Sequence, residues 1–161
     1  MGSFYSKLPS SKFPSFKFAC PSCFLCCTVS EGDGGESHPG EVSSKNVHHV
    51  TSMQIWETML AQASTDGKIV VANFVASWSL PCKEIMPSYC HLADTYSSSL
   101  LFLTVDADQL AELSTSWSVN ATPTFYFLKE GNQVEKLVGA DKVELKKKTA
   151  FAADLVTKSR K

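Results

Sequence analysis

"FVASWSLPCKEIMP", residues 74–87, decides how the rest of the chain is read. It closes the β-branched apolar run "KIVVANFVA" (68–76), the composition of a strand buried on both faces. It then turns at Ser79-Leu80-Pro81 and opens a helix over 80–96, with Pro87 inside it to kink it. A single cysteine, Cys82, falls in the first turn of that helix. Strand, tight turn and helix together put one thiol at the end of a sheet.

Outward from this stretch the elements alternate. "NVHHV" (46–50) is a short strand, and Ile55, Trp56, Met59, Leu60 and Ala63 repeat at helical spacing over 53–63. "LLFLTVDA" (100–107) is a second buried strand, followed by a short helix over 109–117. "TFYFLKEGNQVEKLVG" (124–139) is a hairpin that turns at Glu130-Gly131-Asn132. A terminal helix over 142–158 offers Val143, Leu145, Phe151, Leu155 and Val156 to the core. The order βαβαβαββα predicts an α/β fold, a mixed central sheet of about five strands with helices on both faces.

The segment before residue 46 differs in kind. Residues 1–30 hold no Asp or Glu, three lysines, three prolines and many serines. "SEGDGGESHPGEVSSKN" (30–46) has a linker's composition, so the chain divides into a tail (1–30), a linker (31–45) and a folded domain (46–161). The formal net charge of -1 gives no global electrostatic case for nucleic acid. No apolar run approaches the roughly 20 residues that span a bilayer.

The six cysteines are uneven: Cys20, Cys23, Cys26 and Cys27 crowd into the tail, whereas Cys82 and Cys90 lie in the domain. A disulfide scaffold spreads its cysteines to close long loops, so the domain reads as intracellular with free thiols. Four readings of the tail stand side by side. "MGSFYS" fits the N-myristoylation pattern with Gly2 as acceptor, and the four cysteines offer palmitoylation as the second signal that stable anchoring requires. The C-x-x-C pairs suggest zinc, but the compact knuckle's second separated pair is missing, and no metal is expected. The acid-poor, Ser-rich start also resembles a transit peptide to plastid or mitochondrion, against an otherwise cytoplasmic placement. The fourth reading is a tail cysteine that supplies a thiol to Cys82.

"VVANFVASWSLPCKEIMP", "VDADQLAELSTSWSVNATPTFYFLKEGNQVEKLVGA" and the element order resemble thioredoxin, and within it the plant h-type with an N-terminal extension. The resemblance covers about residues 46–158 and rests on several signatures in order: Trp78, Pro81-Cys82, Pro87, Thr122-Pro123 and Gly139. It implies thiol–disulfide exchange in cell redox homeostasis, on protein substrates carrying disulfides or thiols, with glutathione as a further partner and no cofactor. It also implies a cis Thr122-Pro123 bond and a groove of Trp78, Leu80, Pro81, Thr122, Pro123 and Gly139 that pairs with an extended segment.

Two positions depart from the family. In the motif W-C-x-P-C the first cysteine attacks the substrate and the second resolves the mixed disulfide. Ser79 stands at the first position and Cys82 at the second. A hydroxyl does not exchange with a disulfide, and two-electron redox at one site needs two thiols. The usual buried Asp, which takes the resolving cysteine's proton, is matched by Asn73. The expectation is therefore a single-thiol or impaired disulfide oxidoreductase acting through Cys82, or a redox-inactive peptide-binding module. Plainer roles exist for several residues. Ser79 suits a helix N-cap, contributing about 1 kcal/mol. Cys90 suits the core, as do Trp56 and Trp117. His48 and His49, as strand neighbours, point to opposite faces and share no metal.

Overall fold

The computed structural model describes residues 43–159; Gly2, Cys20, Cys23, Cys26 and Cys27, with the linker to 42, lie outside the described residues. The elements are β1 (Val47–Val50), α1 (Met53–Thr65), β2 (Ile69–Val75), α2 (Leu80–Tyr96), β3 (Leu100–Asp106), α3 (Ala111–Ser116), β4 (Thr124–Lys129), β5 (Asn132–Val138) and α4 (Lys142–Ser159). They follow the predicted order, and the five-stranded sheet runs β1-β3-β2-β4-β5. β1, β3 and β2 are parallel, and β4 and β5 are antiparallel additions.

Alternation along β2 and β3 sends side chains to two cores. Ile69, Val71, Phe102, Phe125 and Phe127 face α2 and α4, with Tyr89 of α2 and Leu145 of α4 closing over them. Val70, Ala72, Phe74, Leu103 and Tyr126 face the other way, against Trp56 of α1 and Leu113 of α3. Cys90 is buried in the first core, and burial pushes its thiol above the ordinary 9.0, as a core residue's would be. Trp56 and Trp117 meet edge-on at 5.8 Å in the second, so both pack as expected. His48 and His49 are exposed on β1.

Three expectations are corrected. The short helix begins at Ala111 rather than 109, because the Asp106 carboxylate accepts from the Asp108 and Gln109 N–H groups and holds them in a turn. Ser79 is the N-cap residue of α2, but its side chain makes no capping bond. A capping oxygen takes the N–H of the second or third helical residue, and the second here is Pro81, which has none. Finally, Val143 and Phe151 do not enter the core. They are 62% and 51% exposed, and α4 is seated through Leu145, Thr149, Ala152, Ala153 and Val156.

The hairpin turns on Glu130 (φ 53) and Gly131 (φ 78) between β4 and β5. Positive φ at both central residues matches the twist of paired strands. Ahead of β1, the Asp94 carboxylate on α2 accepts hydrogen bonds from Ser44 Oγ and Asn46 Nδ2, which pins the entry to the domain.

Candidate active site

β2 and β5 end, and β4 begins, at one end of the sheet, and the loops there gather most of the singled-out residues. The β2–α2 turn supplies Trp78, Ser79, Leu80, Pro81 and Cys82. The loop before β4 supplies Thr122 and Pro123, whose peptide bond is cis. Gly139 follows β5 with φ +98, a conformation glycine adopts without penalty. Its N–H donates to the Pro123 carbonyl at 2.8 Å, which ties the β5 end to the cis-proline loop. Thr124 Oγ1 donates to the Ala121 carbonyl at 2.6 Å and braces the same loop from below.

Exposure divides these residues. Trp78 is 74% and Leu80 64% exposed, whereas Ser79 and Cys82 are 5% and 3% exposed. The end of the sheet therefore shows solvent an apolar lip with its sulfur set beneath. Cys82 and Cys90 are the cysteines among the described residues, and both are buried. Eight residues along a helix separate them by about 12 Å, beyond disulfide reach. The first turn of α2 thus offers one sulfur.

A residue the sequence reading missed holds the lip in place. Asp108, in the β3–α3 loop, accepts a hydrogen bond from Trp78 Nε1 at 2.9 Å. The only signal for it was an acidic pair, Asp106 and Asp108, at a strand's C-terminal end. Beside Trp78 opens a cleft of about 270 Å³ lined by Asp108, Ser114, Thr115, Asn120 and Thr122 among others.

Asn73 lies under α2, fully buried in β2. Its Nδ2 donates weakly to Met86 Sδ at 3.8 Å, and its Oδ1 has no partner. Across the ladder its direct neighbour on β3 is Thr104, whose Oγ1 is likewise buried and unpartnered. At this position a carboxylate would hold and release a proton; an amide keeps the polarity without that capacity. Among the described residues, no cluster of three or more His, Cys, Asp or Glu is placed to hold a metal. No described helix is long and apolar enough to cross a membrane.

Comparison with known proteins agrees with this geometry. Residues 46–150 match the thioredoxin family. Thioredoxin H9 of Arabidopsis thaliana is 48% identical over 134 residues, covering 83% of this chain and 95% of that protein. Thioredoxin-like protein CXXS2 of the same plant is 47% identical over 147 residues, covering 91% and 94%. The crystal structure of a poplar wild-type thioredoxin h superposes with a TM-score of 0.64 at 53% identity, covering 65% of this chain and 94% of its own. Fold, cis-proline loop and sequence converge, and the chain belongs to the thioredoxin family, with plant h-type thioredoxins among its homologues.

Proposed function

We propose that this protein is a thioredoxin with a single active-site thiol, which captures protein segments in the groove and exchanges disulfides weakly through Cys82. The observation that carries this is the pair Ser79 and Cys82: the first position of the motif holds a hydroxyl, and one sulfur, 3% exposed, remains in the turn. In the proposed exchange, the Cys82 thiolate attacks one sulfur of a substrate disulfide. A Cys82 mixed disulfide forms and the other sulfur leaves as a thiolate. A second thiol, from glutathione or from a tail cysteine, then attacks the mixed disulfide and frees Cys82. The name of the relative CXXS2 spells a one-cysteine order, C-x-x-S; the order here is S-x-x-C. Insulin reduction, run with dithiothreitol and with glutathione on wild type and Cys82→Ser, tests the reading. Slow turnover that Cys82→Ser abolishes supports it, and equal turnover by both proteins refutes it.

Binding without exchange is the second reading, favoured by the contrast between exposed Trp78 and Leu80 and buried Cys82. Extended segments pair with backbone beside a groove without any thiol. Under this reading Cys82→Ser retains peptide binding while Trp78→Ala loses it.

For the tail we propose acylation at Gly2 and at Cys20, Cys23, Cys26 and Cys27, holding a cytoplasmic protein at a membrane. Gly2→Ala then moves the protein to the soluble fraction. A mature N-terminus cleaved near residue 30 points instead to plastid or mitochondrial import.

A further inference from the structure

The cleft beside Trp78 takes no part in the exchange at Cys82, yet it opens off the groove, since Trp78 and Thr122 line both. Its volume is about 270 Å³. Pockets that enclose a whole small ligand begin at about 300 Å³, so this one suits a single side chain of a larger partner.

The lining is rich in groups that accept hydrogen bonds. Asp108 gives one carboxylate oxygen, Oδ2, to Trp78 Nε1 at 2.9 Å; the other, Oδ1, receives no hydrogen bond among the described residues. Ser114 lies deeper and is only 6% exposed. Its hydroxyl reaches the Ala107 carbonyl at 3.4 Å, a long bond that leaves both lone pairs of a buried oxygen unused. Thr115 and Asn120 add an exposed hydroxyl and amide at the rim. The charge here has one sign. No Lys or Arg stands anywhere between Lys83 and Lys129, whereas Asp106, Asp108 and Glu112 fall together in the β3–α3 loop and the start of α3. Among the described residues the ion pairs are Lys147–Glu144 and Lys148–Glu135, so no cation of the domain answers the acids beside the cleft.

We propose that this cleft is a subsite for an arginine side chain of the segment held in the groove, and that Asp108 is the residue that selects it. The inference rests on the groove reading above and adds what the captured segment must carry. A guanidinium is planar, always charged and only donates. Its fork can meet the free Asp108 oxygen and the Ser114 hydroxyl while its face lies against the exposed Trp78 indole. Lysine brings the charge without the fork or the plane, and an acidic side chain meets a field of its own sign. An extended segment paired with backbone beside Pro123 sends successive side chains to opposite sides. Arginine is therefore read at one position of the segment and not at its immediate neighbours. Asp108 thus does two things: one oxygen holds the indole at the lip, and the other reads the partner.

The test is calorimetric titration of the full-length protein with cysteine-free extended peptides, otherwise neutral, in which one glutamine is replaced in turn by arginine, lysine or glutamate along the peptide. At one position arginine is expected to tighten binding about tenfold over glutamine, with lysine gaining less and glutamate weakening it. The gain shrinks as salt rises. Asp108→Asn keeps an acceptor for Trp78 Nε1 and removes the charge, so it is expected to bring the arginine gain within about twofold while the glutamine peptide binds as before. Glu112→Gln makes the same charge change outside the cleft lining and keeps the gain. Binding of the glutamine peptide with no gain from arginine at any position overturns the subsite and leaves the groove standing. Failure of every peptide to bind overturns the groove reading and the subsite with it. A gain that survives Asp108→Asn, or that falls equally in Glu112→Gln, overturns the proposal too, because the general negative field then carries it.

Discussion

On the α1/α3 side of the sheet, Trp56, Phe74, Tyr126 and Trp117 close a ring of four aromatic contacts, with centroids 5.3–6.0 Å apart. The Tyr126 hydroxyl donates to the Trp117 carbonyl, so even the polar tip is satisfied. On the α2/α4 side, Tyr89 is seated equally well, its hydroxyl within 2.7 Å of the Leu103 carbonyl. Nearer the site, that face changes character, and Asn73 and Thr104 leave two buried oxygens without partners. A buried unpaired polar atom costs about 1–3 kcal/mol. One face is thus closed for stability alone. The other carries a polar row beneath the helix that holds Cys82, where thioredoxin chemistry would use it. The amide there keeps the cost of a polar group without its proton.

The sharpest test asks whether the α2 face still supports dithiol chemistry once a second sulfur is present. Ser79→Cys restores W-C-L-P-C and is expected to raise thioredoxin-reductase-coupled insulin reduction by at least about two orders of magnitude. Adding Asn73→Asp is expected to raise it further, by a factor of a few. Wild type turning over as fast as Ser79→Cys sinks the account and moves the reaction to another cysteine.

Stability separates the two faces next. Phe74→Ala opens the aromatic ring and is expected to cost about 3–5 kcal/mol, seen as a lower urea midpoint at constant slope. Asn73→Leu, of the same branching but with bulkier methyl groups, removes the unpartnered oxygen and is expected to stabilise the fold by up to about 1 kcal/mol where the added volume is accommodated. A loss there would show that Asn73 is satisfied in solution, and the contrast between the faces would shrink.

The smallest effect concerns the pin ahead of β1. Hydrogen bonds from Ser44 and Asn46 hold the Asp94 carboxyl below its ordinary 3.8. A lowered folded-state value means that the pin's contribution is present above the ordinary carboxylate range and is lost as pH falls through the lowered value. Amide exchange over 44–50 should therefore quicken in acid in wild type, and at neutral pH in Asp94→Ala. Identical protection in the two proteins at neutral pH would remove the pin's role.

The element order was legible because β2, β3 and β4 are mainly apolar runs, interrupted within β2 by Asn73 and within β3 by Thr104, and α1 repeats at helical spacing. The turn with Cys82 was legible from residue types, and the Thr122-Pro123 loop from the resemblance to thioredoxin. Pairings between distant loops were not: nothing local to Trp78 points to Asp108, thirty residues on. Helix α4 was misread because hydrophobicity was taken as burial. Close approach of a helix to a sheet selects small residues, so Ala152, Ala153 and Thr149 outcompeted Val143 and Phe151 for the inner face. Ser79 failed as a cap because Pro81 removed one of the N–H groups it would have met.

The placement of the three tryptophans has an optical consequence. Trp56 is 3% exposed within the aromatic ring and Trp117 packs against it, whereas Trp78 is 74% exposed at the lip of the groove. A collisional quencher in solution thus reaches Trp78 far more readily than the other two. Its red-shifted emission is separable from the bluer emission of buried Trp56 and half-buried Trp117. A segment settling into the groove shields that one indole, so the native chain reports its own occupancy by fluorescence, with no label attached.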